Sequence, residues 1–476
     1  MRPLVWFRAD LRTRDNPALS RASRDADRGV IAVFIICPGQ WLEEHDLSDA
    51  KADLILRTLG TLSADLERLN IPLLILEHDR FDQTPSTLLD LARAHGCDAL
   101  YFNDEYELNE RERDRAVEDA FRRAGLRIYR TTDQVVYEPG SIRTGGGRFY
   151  SVYSPFKRAW IARYKEQGAR AEAPAARAQP EPPCPPDPIP DAVRGFDRSP
   201  ALAELWPAGE KHAWKSLSTF CSGRLDAYKA ERDLPGIEAT SRLSPYLGVG
   251  SVSALQCLNA ALAANDHRID AGSKGAVHWI SELLWREFYR HILVGFPRVC
   301  RRQPFRLETR RIRWKENSEH LEAWKQGRTG VPIVDAAMRQ LLETGWMHNR
   351  LRMIAAMYLT KDLFLDWRLG EKHFARRLID HDLANNNGGW QWSASTGVDA
   401  APYFRIFNPY SQSKKCDPDG SFIRRFVPEL RDVPAPEIHE PSAAPALLRA
   451  RLDYPEPLVD HAQARAHAIE AFKALK

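Results

Sequence analysis

A chain of 476 residues that is 43% hydrophobic and 28% charged has the composition of a folded globular protein, long enough for two or three domains. No window approaches 18 uninterrupted apolar residues, and Arg8 and Asp10 interrupt the N-terminus too early for a signal-peptide core. The seven scattered Cys contain no Cys-x-x-Cys pair, so neither a disulfide framework nor a zinc site is suggested. These features predict a protein of the reducing cytoplasm, and the net charge of +4 is only a weak global hint of a polyanionic partner.

The first ~130 residues alternate between two periods. LVWF (4–7), GVIAVFIIC (29–37), IPLLILE (71–77), ALYFN (99–103) and LRIYRT (126–131) are short apolar runs. Amphipathic stretches lie between them at 49–70, 84–96 and 107–125, and Asp15-Asn16-Pro17 caps an earlier helix. Near-continuous apolar strands alternating with helices predict an α/β doubly wound parallel sheet covered on both faces. No G-x-G-x-x-G follows the first strand and no Walker A motif occurs. A ligand of this domain would sit at the carboxyl ends of the strands. Gly145-Gly146-Gly147, between two β-like pieces, reads as a hairpin turn.

Residues 168–200 are rich in Pro and Ala without periodicity and read as a semi-rigid connection. From about 204 onward strand signals vanish and helical spacing dominates, which predicts an all-α C-terminal domain. The expected division is therefore 1–132, a long connection 133–203, and a helical domain 204–476. Ten of the 13 Trp fall after residue 200. Core filling is expected for about half of them, and the clustering suggests a task for aromatics in this half.

Three stretches carry chemistry. TSRLSPYLGVGSVS (240–253) offers hydroxyls and N–H groups leading into a helix near Ser251, which suits an anion, with ordinary capping as the alternative. SELLWREFYRHI (281–292) puts Glu282, Trp285, Arg286 and Tyr289 on one helix face and reads as a half-buried polar site; the plain alternative is an i,i+4 Glu282–Arg286 pair beside core aromatics. TGWMHNRLRMIAAMYL (344–359) groups Asn349, Arg350, Arg352 and Met353 among aromatics, suited to phosphates and bases unless it is a solvated face. DHDLANNNGGWQWSAS (380–395) has poor helix composition and reads as a loop carrying two Trp.

WREFYRH, TGWMHNRLRM, NNGGWQWSAS and GVDAAPYFRIFNP resemble the photolyase/cryptochrome family, specifically its bacterial class I cyclobutane pyrimidine dimer (CPD) DNA photolyases. The likeness runs from WFRADLR (6–12) to RRFVPELRDVP (424–434), about nine-tenths of the chain. It implies an N-terminal α/β antenna domain and an all-α C-terminal FAD-binding domain. It further implies light-dependent repair of UV-damaged DNA, a carbon–carbon lyase reaction, by electron transfer from excited FADH⁻ to a flipped-out dimer.

By the same resemblance Tyr228, Thr240, Ser241, Arg242, Leu243 and Ser244 hold the FAD pyrophosphate, and Trp279, Glu282 and Arg286 line its cavity. Asn349, Asp380, Asp382 and Asn386 surround the adenine and isoalloxazine, Asn386 facing flavin N5 and Asp380 pairing with Arg352. Asn at 386 favours repair over the signalling of cryptochromes, which carry Asp or Cys there. The dimer would meet Glu282, Trp285, Asn349, Arg350, Met353 and Trp392, which combine apolar walls with a few polar groups. Glu282 is the expected partner of the thymine carbonyls, and Arg350 of the flanking phosphate. Trp390, Trp367 and Trp314 match the family's tryptophan electron chain.

His45, Asn109, Glu110 and Cys300 match the pattern for a folate antenna, 5,10-methenyltetrahydrofolate; 8-hydroxy-5-deazaflavin is the alternative. Arg301 departs from it, because the pattern has Lys there and a guanidinium fork is not equivalent to an ammonium. A monomer without a metal is implied. The competing readings are a blue-light receptor without repair and a nicotinamide-dependent flavoprotein, the latter opposed by the missing dinucleotide fingerprint.

Overall fold

The computed structural model describes residues 1–475. All five predicted strands form: β1 (Pro3–Phe7), β2 (Ile31–Ile36), β3 (Leu73–Glu77), β4 (Ala99–Asn103) and β5 (Arg127–Thr131). They pair in parallel in the order β3-β2-β1-β4-β5, with Leu4 beside both Ile31 and Leu100. Every residue of β1, β2 and β4 is buried, which is why these strands read as apolar runs rather than alternations. The helices α1 (Pro17–Asp25), α2 (Asp49–Glu67), α3 (Thr84–Ala94) and α4 (Leu108–Arg123) supply the crossovers. Asn16 caps α1 by accepting from the Leu19 N–H at 3.1 Å, with Pro17 in the first turn.

The chain forms two compact units that do not follow chain order. One comprises Met1–Asp226, Ser241–Pro297 and Ile379–Ala384; the other comprises Ala227–Thr240, Arg298–Leu378 and the chain from Asn385 onward. The first contains the sheet, and also α5 (Tyr153–Gln167), a helix inside the expected connection, and the 22-residue helix Lys274–Gly295. Glu287 of the long helix accepts from Val136 N (2.7 Å), Tyr137 N (3.2 Å) and the Trp160 indole (2.6 Å). Arg12, almost fully buried, pairs with Asp133 and donates to the carbonyls of Arg14 (2.9 Å) and Gly250 (3.1 Å).

The second unit is helical around Trp324, Trp367 and Trp390, with helices Pro332–Thr344, Asn349–Met357 and Trp367–Ala375. Strand geometry there among the described residues is limited to one isolated bridge, Lys315 to Leu365.

Three local expectations are corrected. Gly145–Gly147 makes a turn, with Thr144 N bonding to Arg148 O at 2.9 Å, but no strands flank it. The 240–253 stretch forms its own short helix, Ser244–Val249, and the next begins at Ala254 behind the Ser253 cap. The stretch read as a loop is a helix, Leu383–Ala394. Tertiary hydrogen bonds override its propensity. From outside the helix, Glu371 Oε1 accepts from Asn387 (2.7 Å) and Phe305 N donates to Gln391 Oε1 (2.8 Å), while within it Gln391 donates to Asn387 Oδ1 (2.9 Å).

Candidate functional site

In the first unit, the helix Lys274–Gly295 has two unlike faces. Leu284, Glu287, Phe288 and His291 are buried, whereas Glu282, Trp285, Arg286 and Tyr289 are all half-buried, as their spacing predicts. Trp285 lies flat on Tyr153 of α5, centroids 3.6 Å apart and 11° from parallel, with Phe288 edge-on at 5.7 Å. The Tyr153 hydroxyl in turn donates to Ser281 O at 2.7 Å. Arg286 donates to the carbonyls of Gln134 and Leu247. Burial, with Arg290 nearby, pulls its pKa down to about 10. Trp279 is buried against Phe220 (5.1 Å), and Asp382 forms an ion pair with Arg290. In the Ser241–Ser244 loop, Arg242 sits at φ +51, a left-handed conformation that a non-glycine residue holds only where its surroundings enforce it.

In the second unit, Asn349 is exposed at the start of its helix, and Arg350 pairs with Asp233 at 2.6 Å. Burial alone would raise Asp233, but the hydrogen bond and charge of Arg350 hold its carboxyl below the ordinary value. Arg352 donates to Met347 O (2.8 Å), and Met353 is half-buried. Asn386 is half-buried and donates to Glu371 O at 3.0 Å; its neighbour Asn387 is the core residue. Trp392 is half-buried, Trp390 and Trp367 are buried, and Trp314 is partly exposed. Trp390 meets Phe374 (4.9 Å) and Trp324 (6.0 Å) edge-on. Tyr228 is buried, and Thr240 is half-buried. Tyr153, Asp233 and Trp324 are neighbours that the sequence reading missed, since no spacing links them to the motifs they support.

A separate cavity of the first unit lies at the carboxyl ends of β1, β2 and β4, where the strand order reverses, as a doubly wound sheet predicts. Trp6, Arg8, His45, Lys51, Glu110 and Arg113 are among its lining residues. Arg8 and Arg113 lie 4.0 and 4.6 Å from the Trp6 ring centre. Glu110 Oε1 is 3.4 Å from His45 Nε2. Burial and the neighbouring Glu105 push Glu110 up to about 7, and burial pulls His45 down to about 4, so near neutral pH the imidazole is uncharged and this contact is not a fixed ion pair.

For an acid raised from 4.5 to about 7, the stabilising contribution is complete below 4.5 and lost as pH rises through 7. His45 acts oppositely, its contribution being lost as pH falls from 6.5 toward 4. Glu110→Gln should therefore stabilise the ligand-free protein by up to about 3 kcal/mol at pH 8 and by little at pH 4, measured by urea unfolding at both values.

The fold is that of photolyase and cryptochrome structures. A bacterial class III photolyase from Agrobacterium tumefaciens superposes with a TM-score of 0.89 at 35% identity, covering 99% of this chain and 97% of that one. A Synechocystis cryptochrome gives 0.86 at 26% identity, over 98% and 99%. The family model for the FAD binding domain of DNA photolyase matches residues 279–474, and that for DNA photolyase matches residues 3–182. Deoxyribodipyrimidine photo-lyases of Salmonella typhimurium and Escherichia coli are 45% and 44% identical, each over 99% of this chain and 98% of the relative. The chain belongs to the DNA photolyase family.

Proposed function

We propose that this chain is a deoxyribodipyrimidine photo-lyase that repairs pyrimidine dimers in UV-damaged DNA in the light, using FAD. The observation that carries the reading is 44–45% identity to such enzymes over nearly the whole chain, together with an intact, half-buried Glu282–Trp285–Arg286 face. In this reading residues 1–132 serve the antenna chromophore, 133–203 connect and 204–476 serve FAD, a division of roles along the chain that differs from its two compact units. The enzyme acts as a class I, cytoplasmic monomer. No helix among the described residues is long and apolar enough to cross a membrane.

The donor set fits FAD. Thr240, Ser241 and Ser244 offer hydroxyls beside a conformationally constrained Arg242, and Asn349 and Asn386 offer amides. Bound in its reduced form, FAD supplies the photoexcited electron that splits the cyclobutane ring. Tyr228 and residues 240–244 hold the pyrophosphate. Trp279, Arg286, Arg352, Asp380 and Asp382 would hold the remaining polar edges of the cofactor, and Asn386 would offer its amide to the flavin. Trp285, Met353 and Trp392 provide apolar walls for the dimer, while Asn349 bonds its carbonyls. Arg350 exchanges Asp233 for the flanking phosphate. Glu282 bonds the thymine carbonyls and stabilises the negative charge that develops on them. Trp390, Trp367 and Trp314 conduct electrons inward when the cofactor is oxidised.

The antenna is a folate held by His45, Asn109, Glu110, Cys300 and Arg301. Glu110 and His45, 3.4 Å apart in the cavity of the first unit, offer hydrogen-bonding groups for the edge of the folate heterocycle. Chromophores released by acid and identified by mass spectrometry should include the folate; a deazaflavin would overturn that assignment.

The test of the whole is reduced, illuminated enzyme acting on thymine-dimer DNA, with (6-4) photoproduct DNA alongside. Dimer loss in the light alone is expected, and persistence of the dimers would refute the reading. Glu282→Ala should slow repair per bound lesion by about tenfold or more while changing damaged-DNA affinity less. Equal losses in both would remove Glu282 from the chemistry.

A further inference from the structure

Arg-Arg-Ile-Arg-Trp-Lys (310–315) carries four cations and no acid, as much positive charge in six residues as the net charge of all 476. The stretch runs beside Phe364 and Leu365, with Lys315 N bonding to Phe364 O at 2.9 Å. This register buries Ile312, leaves Trp314 partly exposed, and exposes Arg310, Arg311, Arg313 and Lys315. Phe364 (5.1 Å) and Phe472 (6.4 Å) hold the indole. Arg311 ties the end of the C-terminal helix through Leu475 O at 2.6 Å. Arg310 and Arg313 have no ion-pair partner among the described residues. The nearest acids in sequence, Glu308 and Glu316, flank the cluster from outside.

We propose that this arginine collar is the entry surface for a small anionic one-electron reductant, which restores Trp314 after it has donated inward. The proposal rests on the reading of Trp314 as the outer end of the electron chain. In each cycle Trp314 passes one electron to oxidised Trp367, and the resulting indole radical cation releases its N–H proton to water. The donor then returns one electron, being itself oxidised by one, and water returns the proton. A radical exposed at the surface is lost to charge recombination unless a donor reaches it first. A patch of unpaired cations around an apolar ring raises the local concentration and encounter rate of anions, and salt weakens the effect. A surface without net charge would not discriminate among donors by charge, and a DNA-contacting face would govern DNA affinity instead.

The experiment is laser-flash photoreduction of the FAD-loaded holoenzyme with oxidised cofactor, following decay of the tryptophan radical. Ferrocyanide serves as the anionic probe and hydroxymethylferrocene as the neutral one. The ferrocyanide rate constant is expected to fall roughly tenfold or more on raising salt, and by a comparable factor in R310E/R313E at low salt. The neutral probe should change less than about twofold in either case. The Arg311 tie is kept in this variant, and R310Q/R313Q should fall between it and the parent. A ferrocyanide rate indifferent to salt and to both variants overturns the proposal. So does a loss of damaged-DNA affinity in R310E/R313E with unchanged ferrocyanide kinetics, which makes the collar a DNA contact. W314F separates the two levels: it should remove the long-lived radical, and a radical that persists there overturns the terminal role of Trp314 and this proposal with it.

Discussion

Glu287→Ala is expected to lower stability by about 4 kcal/mol or more, because three donors inside the first unit lose their acceptor together and each unsatisfied buried group costs about 1–3 kcal/mol. Those donors are Val136 N, Tyr137 N and the Trp160 indole, from the segment after the sheet and from α5. The loss is read as a fall in thermal midpoint and in guanidinium midpoint. Glu287→Gln keeps one acceptor oxygen and should lose less. Burial pushes Glu287 up to about 7 despite its hydrogen bonds, so its contribution is complete below 4.5 and lost as pH rises through 7. The glutamine variant should remove that part of the pH dependence, on the order of 3 kcal/mol between those limits. The functional consequence follows from helix geometry. Glu287 anchors the helix whose other face presents Glu282, Trp285 and Arg286, so repair by Glu287→Ala should become temperature-sensitive before it is abolished.

Trp390→Phe should block photoreduction of oxidised FAD while pre-reduced enzyme still repairs dimers. The indole N–H of Trp390 is buried without a hydrogen-bond partner, so phenylalanine removes no hydrogen bond and the structural cost is confined to lost volume. That makes this substitution a clean separation of electron conduction from folding; loss of both activities would mark Trp390 as structural. Gly370→Ala is its counterpart. A Cβ on Gly370 would overlap Cη2 and Cζ3 of Trp390 and come within 2.7 Å of Leu359 Cδ2. Overpacking of this kind costs about 1–3 kcal/mol, and the ring must shift to relieve it. The expected result is a modest fall in thermal midpoint with a disproportionate fall in photoreduction rate, measured on the same preparation.

The strands were legible because burial on both faces turns a parallel strand into an uninterrupted apolar word, and the Glu282 face was legible because its period matches one side of a helix. Two helices were not. Residues Tyr153–Gln167 bury only Tyr153, Phe156 and Trp160, a narrow stripe with Pro155 in the first turn, and look like the continuation of a linker. Leu383–Ala394 is built from weak helix formers and exists because Glu371 and Phe305 complete its side-chain bonds, partners that lie 16 residues upstream of Asn387 and 86 residues upstream of Gln391. The division of labour proposed for Trp390 and Trp392 likewise had no signature in spacing; family likeness supplied it.

The way the chain is divided between its units bears on its synthesis. Residues Ile379–Ala384 belong with the sheet-containing unit, although they lie more than 150 residues beyond the first segment of that unit, Met1–Asp226. A ribosome must therefore release about four-fifths of the polypeptide before this unit can close, so an N-terminal fragment cut at the proline-rich segment lacks pieces of its own fold. Long-range closure of this kind slows folding and prolongs exposure of unpaired apolar strands. Chaperone dependence during expression, and recovery of soluble protein only from full-length chains, are the expected signs of that topology.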